Sequence, residues 1–162
     1  AEKFKEQNIK EDPIKYANLK DAEYRKLLAN NIKPLPGVIS LINHLHKKVK
    51  LCVASSSGFE NVKLILDKLD IMDKMQFFLS GDDVSDTKPS PEIYNKAIQK
   101  LSLKPSECVV IEDAELGIIA AKKAGANIIA VTTTHTHERL SQADLIIHSL
   151  EELDYPKIIN IK

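Results

Sequence analysis

The chain has 162 residues, with 23 Lys and Arg against 23 Asp and Glu, so its formal net charge is zero. That balance supplies no electrostatic pull towards nucleic acid or an anionic membrane. Aromatics are only 5% and Trp is absent, which disfavours a base-stacking platform. The length suits one domain with a real core, or a core with a small appendage.

Residues 1–35 are charged, with sparse apolar positions such as Phe4, Ile9 and Leu19. They read as one or two amphipathic helices that pack on something else. The stretch AEKFKEQNIKEDP has no apolar core, so it is not a signal peptide. From residue 36 the chain alternates helix and strand. Pro36-Gly37 punctuates a helix whose Val38, Leu41, Ile42 and Leu45 share one face. Val49 to Ala54 reads as a strand. Val62, Ile65, Leu66 and Leu69 mark a second helix, and Phe77 to Leu79 a short strand. Ser90-Pro91 predicts an N-cap followed by proline at the first helical position, opening a helix that carries Ile93, Ala97, Ile98 and Leu101. Residues 108–111 predict a buried strand. A helix follows from about residue 115 to a Gly125 cap, then strands at 127–131 and 145–147. Such alternation predicts an α/β fold with a doubly wound parallel sheet. Cys52 and Cys108 fall in predicted strands and read as small reduced hydrophobes, which predicts a cytoplasmic protein without disulfide or zinc.

Three strand ends carry chemistry. Glu112-Asp113 closes the run Cys108-Val109-Val110-Ile111. Two carboxylates at the carboxyl edge of a parallel sheet repel one another unless a cation intervenes, and hard oxygen donors suit Mg²⁺. The competing reading is a helix cap for the segment starting near Ala114. At Val53-Ala54-Ser55-Ser56-Ser57-Gly58 a strand runs into hydroxyls and then a helix. Hydroxyls beside free backbone N–H groups form an anion site, or else an ordinary serine cap. In Asp86-Thr87-Lys88-Pro89-Ser90-Pro91 two prolines stiffen a lysine that can aim at a phosphate or a carboxylate, unless it is simply solvated. His135 and His137, alternate residues of a Thr-rich stretch, read as polar loop rather than as metal ligands.

The segments VASSSG, DTKPSPEIY and VVIEDAELGIIAAKKAGA resemble motifs two, three and four of the haloacid dehalogenase superfamily, in the family's order. The resemblance spans about residues 36–155 and is nearest to the β-phosphoglucomutase-like phosphatases. It implies a Rossmannoid core over 36–162, with residues 1–35 as the remnant of a helical cap and linker. It implies that Ser55 hydrogen-bonds the transferring phosphoryl group and that the Ser56 backbone helps cradle it. Lys88 would neutralise that group and orient the nucleophile, and Glu112 and Asp113 would hold Mg²⁺, Asp113 most directly. The implied ligand is a small phosphorylated metabolite, with a sugar phosphate first among them. Gly58-Phe59 stands where the mutases carry a basic residue, which favours a phosphatase over a sugar-phosphate mutase.

One motif does not match. The family attacks phosphorus with the first aspartate of an Asp-x-Asp that ends the first strand, and no Asp-x-Asp follows an apolar strand here. Without the nucleophile there is no aspartyl-phosphate and no covalent route. The resemblance places that strand in the middle of the sheet, between 49–54 and 108–111. Its absence predicts two rows of unpaired backbone groups and an apolar trench. The expectation is a segment outside this chain that supplies the strand and the nucleophile, with this chain alone inactive. The alternative is a non-catalytic phosphate-binding or interaction module. A phosphoacceptor receiver domain fits less well, because the lysine precedes the acidic strand instead of following it.

Overall fold

The structure, a computed structural model, describes residues 32–161 and, before them, Leu19, Glu23, Arg25 and Lys26. The chain divides into two compact units, Ala1–Lys33 and Pro34–Lys162. In the first, Leu19, Glu23, Arg25 and Lys26 are helical, and Lys26 pairs with Glu23 at 3.1 Å on the surface. Of the expected cap remnant and linker, the other residues up to Asn31 lie outside the described residues.

The second unit runs α1 (Val38–Leu45), β1 (Cys52–Ala54), α2 (Phe59–Lys68), β2 (Phe77–Leu79), α3 (Glu92–Leu101), β3 (Val109–Glu112), α4 (Glu115–Ala124), β4 (Asn127–Val131), β5 (Leu145–Ile147) and α5 (Tyr155–Ile159). All pairings are parallel. β1 pairs with β2, in register Val53 with Phe78, while β3, β4 and β5 form a second ladder with Ile111 opposite Ile129 and Ala130 opposite Ile146.

β4 shows why the sheet is covered on both sides. Successive side chains of a strand point to opposite faces. Ile128 and Ala130 join a core with Tyr94, Ala97, Ile118 and Ala121 of α3 and α4. Ile129 and Val131 join the opposite core with Leu41 and Leu45 of α1 and Ile158 of α5. Val62 and Leu66 of α2 build a third cluster against Val53 and Phe78. Apolar residues therefore occupy both faces of short strands, as a doubly wound parallel fold requires.

Helix ends follow local chemistry. Gly125 caps α4 at φ 78° and Ser102 caps α3 at φ 57°, both left-handed. Gly37 precedes α1 at φ 84°, and a Cβ there would stand 2.6 Å from Glu151 N, so only glycine fits this close approach. One boundary differs from expectation. Pro91 is the N-cap of α3 and not its first helical residue, because its ψ of 0° lies outside the helix; Ser90 Oγ accepts from Glu92 N at 3.3 Å. No helix among the described residues is long and apolar enough to cross a membrane. Cys52 and Cys108 are both free thiols, and burial pushes Cys52 up to about 11, so it stays an unreactive thiol.

The sheet is in two pieces. β1 and β3 are not hydrogen-bonded to each other. Between them lies a cavity of about 540 Å³, walled by Lys50–Ala54 on one side and Glu107–Glu112 on the other. Ile111, on a strand whose neighbours are covered on both faces, is 40% exposed. The strand order also reverses here: the chain steps outward to β2 on one side and to β4 and β5 on the other. Open α/β sheets bind ligands beyond the carboxyl ends of their strands at such a reversal.

Candidate active site

The carboxyl ends of β1 and β3 open onto a cavity of about 840 Å³ lined by Ser55, Ser56, Lys88, Glu112, Asp113 and Thr133, among others. The structure thus brings together all five residues singled out from the sequence.

Lys88 is the centre of the arrangement. Its Nζ donates to Ala54 O at 3.2 Å, at the end of β1, and to Glu112 Oε1, at the end of β3. It therefore ties the two halves of the sheet together across the trench. The side chains of Lys88 and Glu112 are only 13% and 10% exposed, so this is no surface ion pair. The loop that presents Lys88 is held from below. Glu92 accepts from the N–H groups of Ser85 and Asp86, and Ser90 N–H donates to Thr87 O at 3.0 Å. A hydrogen bond from Lys96, then those from Asp86 and Ser85, hold the Glu92 carboxyl down to about 2, so it remains an acceptor at any ordinary pH.

Glu112 is saturated. Its Oε1 accepts from Lys88 and, at 2.6 Å, from the Tyr94 hydroxyl, while its Oε2 accepts from Asp113 N at 3.1 Å and Ala114 N at 3.3 Å. Burial alone would raise this carboxyl, but the charge and hydrogen bond of Lys88, with Tyr94 and Ala114, outweigh it and hold Glu112 below the usual carboxylate range. Burial, and then the neighbouring Glu112 charge, push the Tyr94 hydroxyl far upward, so it stays protonated and donates.

The sign of the Glu112 shift gives a pH prediction. A carboxyl held down in the folded state adds stability above its unfolded value, and that stability is lost as pH falls through the lower folded value. Urea unfolding over a pH series should find Glu112→Gln less stable than the parent at neutral pH. Below about pH 4.3 its stability should fall less steeply, by up to about one proton. Parallel acid limbs in the two proteins would show that Glu112 is not held down by the fold.

Asp113 is anchored differently. Its Oδ2 accepts from Thr133 Oγ1 at 3.1 Å, and its backbone oxygen accepts from Thr134 Oγ1 at 2.8 Å, with His135 Nδ1 3.1 Å from the same oxygen. Its Oδ1 has no partner among the described residues. The competing reading, a helix cap, is met only in part: Ala114, the N-cap of α4, has no side-chain acceptor, and Glu112 Oε2 takes the Asp113 and Ala114 N–H groups just ahead of the helix while Asp113 caps nothing among the described residues.

The serine segment forms part of the cavity wall. Ser55 N–H continues the β1–β2 ladder to Leu79 O at 2.9 Å, and Ser55 Oγ accepts from Ser57 N at 3.2 Å. The hydroxyl hydrogen of Ser55 is therefore not consumed by that bond, and the Ser56 N–H has no partner among the described residues. The first N–H of α2 is already taken: Phe59 N donates to Asp82 Oδ2 at 2.7 Å. The helix end is thus capped by a carboxylate from the turn after β2, and the donors left open on this wall are the Ser55 hydroxyl and the Ser56 N–H.

Tyr94, Thr133 and Asp82 were not singled out from the sequence. Thr133 had a local sign, since a threonine run follows the strand that pairs with the acidic one. Tyr94 closes the segment DTKPSPEIY, but nothing in that segment tells what its hydroxyl meets, and Asp82 had no local sign; only the fold brings the one to Glu112 and the other to the start of α2.

Hard oxygen donors fit Mg²⁺, which is bound through one or two carboxylates together with phosphate oxygens and water. Asp113 offers such a donor. Among the described residues no group of three or more His, Cys, Asp or Glu side chains is placed to hold a metal. The donor set fits an ion shared with a phosphorylated ligand rather than one caged by protein alone.

The family model for haloacid dehalogenase-like hydrolases matches residues 1–131. The chain is 37% identical over 123 residues to validoxylamine A 7'-phosphate phosphatase of Streptomyces hygroscopicus subsp. limoneus, covering 75% of this chain and 58% of the relative. It is 36% identical over 126 residues to hexitol phosphatase A of Escherichia coli (strain K12), covering 78% of this chain and 58% of the relative. Among solved structures, β-phosphoglucomutase from Clostridium difficile superposes with a TM-score of 0.81 at 28% identity, covering 96% of this chain and 70% of that one. The chain thus spans a little over half the length of the curated relatives it matches. The strand order, the carboxyl-edge cavity and these matches agree: the chain belongs to the haloacid dehalogenase-like hydrolase family.

Proposed function

We propose that this chain is the greater part of a Mg²⁺-dependent phosphatase that hydrolyses a small phosphorylated metabolite, with a sugar phosphate as the leading class, through an aspartyl-phosphate. The observation that carries the reading is Lys88, fixed between the ends of β1 and β3 and opening on the same cavity as Ser55 and Asp113. Two of the three ammonium hydrogens are committed to Ala54 O and Glu112, which leaves the third for a phosphoryl oxygen. The Ser55 hydroxyl and Ser56 N–H donate to the remaining oxygens. Fixed donors aimed at a transferring phosphoryl group are the main means of catalysing its transfer. Asp113 would hold Mg²⁺; Glu112, the other carboxylate expected at the ion, has its oxygens occupied by Lys88, Tyr94 and two backbone N–H groups and serves to hold Lys88. When bound, the ion neutralises phosphoryl charge.

The nucleophile is assigned to a strand that fills the trench between β1 and β3, supplied by a segment outside these 162 residues. An extended segment there would pair with both open edges and end beside Ser55, Lys88 and Asp113. The similarity to hexitol phosphatase A and to validoxylamine A 7'-phosphate phosphatase supports a small phosphorylated metabolite, with the sugar phosphates first. Gly58-Phe59 after the serines supports hydrolysis over mutase chemistry.

The test is phosphate release from a panel of hexose, pentose and hexitol phosphates, with Mg²⁺ and with EDTA. Residues 1–162 alone should release none. The same residues with the trench strand supplied should turn over with Mg²⁺ and stop in EDTA. Rapid Mg²⁺-dependent release by residues 1–162 alone overturns the assignment of the nucleophile.

A further inference from the structure

We infer that Tyr94 is a positioning residue of the phosphate site: its buried hydroxyl locks the Glu112 carboxylate, and through it aims the Lys88 ammonium. The inference rests on the reading of Lys88 as the phosphate-binding cation.

Tyr94 sits on α3, 5% exposed, in the same core as Ile93, Ala97 and Ile118. A phenylalanine would fill that space without a hydroxyl to desolvate. A buried hydroxyl is costly unless it is bonded, so where it points matters. Here it donates to Glu112 Oε1 at 2.6 Å. The ring also lies beneath the ammonium, with Lys88 Nζ 4.8 Å from its centroid. Tyr94 thus touches both members of the ion pair.

The count of hydrogen-bond partners decides the consequence. An ionised carboxylate has about four acceptor positions. Glu112 fills them with Lys88, Tyr94, Asp113 N and Ala114 N. No rotation of the carboxylate improves any of the four bonds without loosening another. Lys88 is consequently held on one heading, with its third hydrogen facing the cavity. Removing the hydroxyl opens one position on Oε1 and lets the carboxylate pivot, and Lys88 follows it.

Gly117 closes the cradle from the α4 side. A Cβ there would fall 2.2 Å from Glu112 Oε1 and from its carboxyl carbon. Gly117→Ala therefore displaces the same carboxylate by a different route, without touching Tyr94 or Lys88.

The experiment is an NMR titration of ¹⁵N-labelled residues 1–162 with inorganic phosphate, read at the amides of Ser55 to Gly58, with thermal unfolding recorded alongside. Lys88→Ala sets the scale of the loss. Tyr94→Phe, which keeps the ring, should weaken phosphate binding about tenfold, the worth of one hydrogen bond to a charged group. Gly117→Ala should weaken it similarly while the chain remains folded. If Tyr94→Phe lowers only the melting temperature and phosphate binds as before, while Lys88→Ala is impaired, Tyr94 is merely structural and the inference fails alone. If Lys88→Ala binds phosphate as the parent does, the reading of the site fails and takes this inference with it. Should Tyr94→Phe not fold, Gly117→Ala decides, and unchanged phosphate affinity there overturns the proposal.

Discussion

Lys88→Ala and Asp113→Asn, each made in the protein with its trench strand present, should lower kcat/KM for its phosphorylated substrate by about 10³-fold or more. The magnitude comes from what each group faces. A phosphoryl group in transfer spreads charge over its equatorial oxygens, and Lys88 presents a fixed cation in a partly dry site. A similar loss is expected for Asp113, because removing its charge weakens the hold on an ion worth several kcal/mol of charge stabilisation, or about 10³-fold in rate. Lys88→Ala has a second effect that must be separated from the first. It leaves Glu112 buried without its cation, and breaking such a pair costs about 3–5 kcal/mol. The double variant Lys88→Ala/Glu112→Gln removes the unpaired charge. It should regain much of the stability and none of the activity. Activity that returns with stability would mean that Lys88 serves the fold alone. Normal turnover in either single variant would remove both residues from the site.

The sequence carries the parts of this site that lie at the ends of single strands. Ser55, Lys88 and Glu112-Asp113 each follow an apolar run or a stiffened turn, and parallel strands put all such ends on one edge. The β4 run at 127–131 is equally plain, since every residue from Ile128 to Val131 is buried. Boundaries are less plain. The expected strand at 49–54 forms a ladder only over Cys52–Ala54, where β2 runs beside it, and its trench-side edge has no partner strand among the described residues. The third strand is displaced by one residue, to Val109–Glu112, so Glu112 is its last rung, opposite Ala130, instead of the first residue past it. That placement aims the Glu112 side chain at Lys88 and Tyr94. The division between a carboxylate spent on Lys88 and one with an oxygen unbonded among the described residues was invisible in an adjacent acidic pair. The Asp82 cap on α2 was invisible for the same reason, since 23 residues separate it from the N–H it accepts.

Supplying the strand should have the larger structural effect. The trench has two open rows of backbone groups, at Cys52–Ala54 and Val109–Glu112, with apolar walls from Leu41, Leu45, Ala97, Ile98 and Leu101. Such edges are templates for an extended chain. Both faces of the trench are covered by helices, so an inserted strand must be apolar on both sides and polar only at its carboxyl end. Each buried Val or Ile would contribute about 1.5–3 kcal/mol gross, against roughly 1–2 kcal/mol per residue to order its backbone. Ladder bonds on both sides add about 1 kcal/mol each. A net gain of a few kcal/mol corresponds to roughly 10 °C in Tm for a domain of this size. A version of the chain carrying an upstream apolar strand that ends in Asp-x-Asp, joined by a flexible linker, should melt about that much higher. Amide exchange should become slow at Cys52 and Ala54 and at Val109 and Ile111, whose N–H groups face the trench while their neighbours already face β2 and β4. Replacing the first Asp by Asn should keep the protection and abolish phosphate release, because packing depends on the apolar residues and chemistry on the carboxylate. An unchanged Tm with unprotected amides on both rows would mean that the trench does not receive a strand. The nucleophile would then have to reach Lys88 by another path.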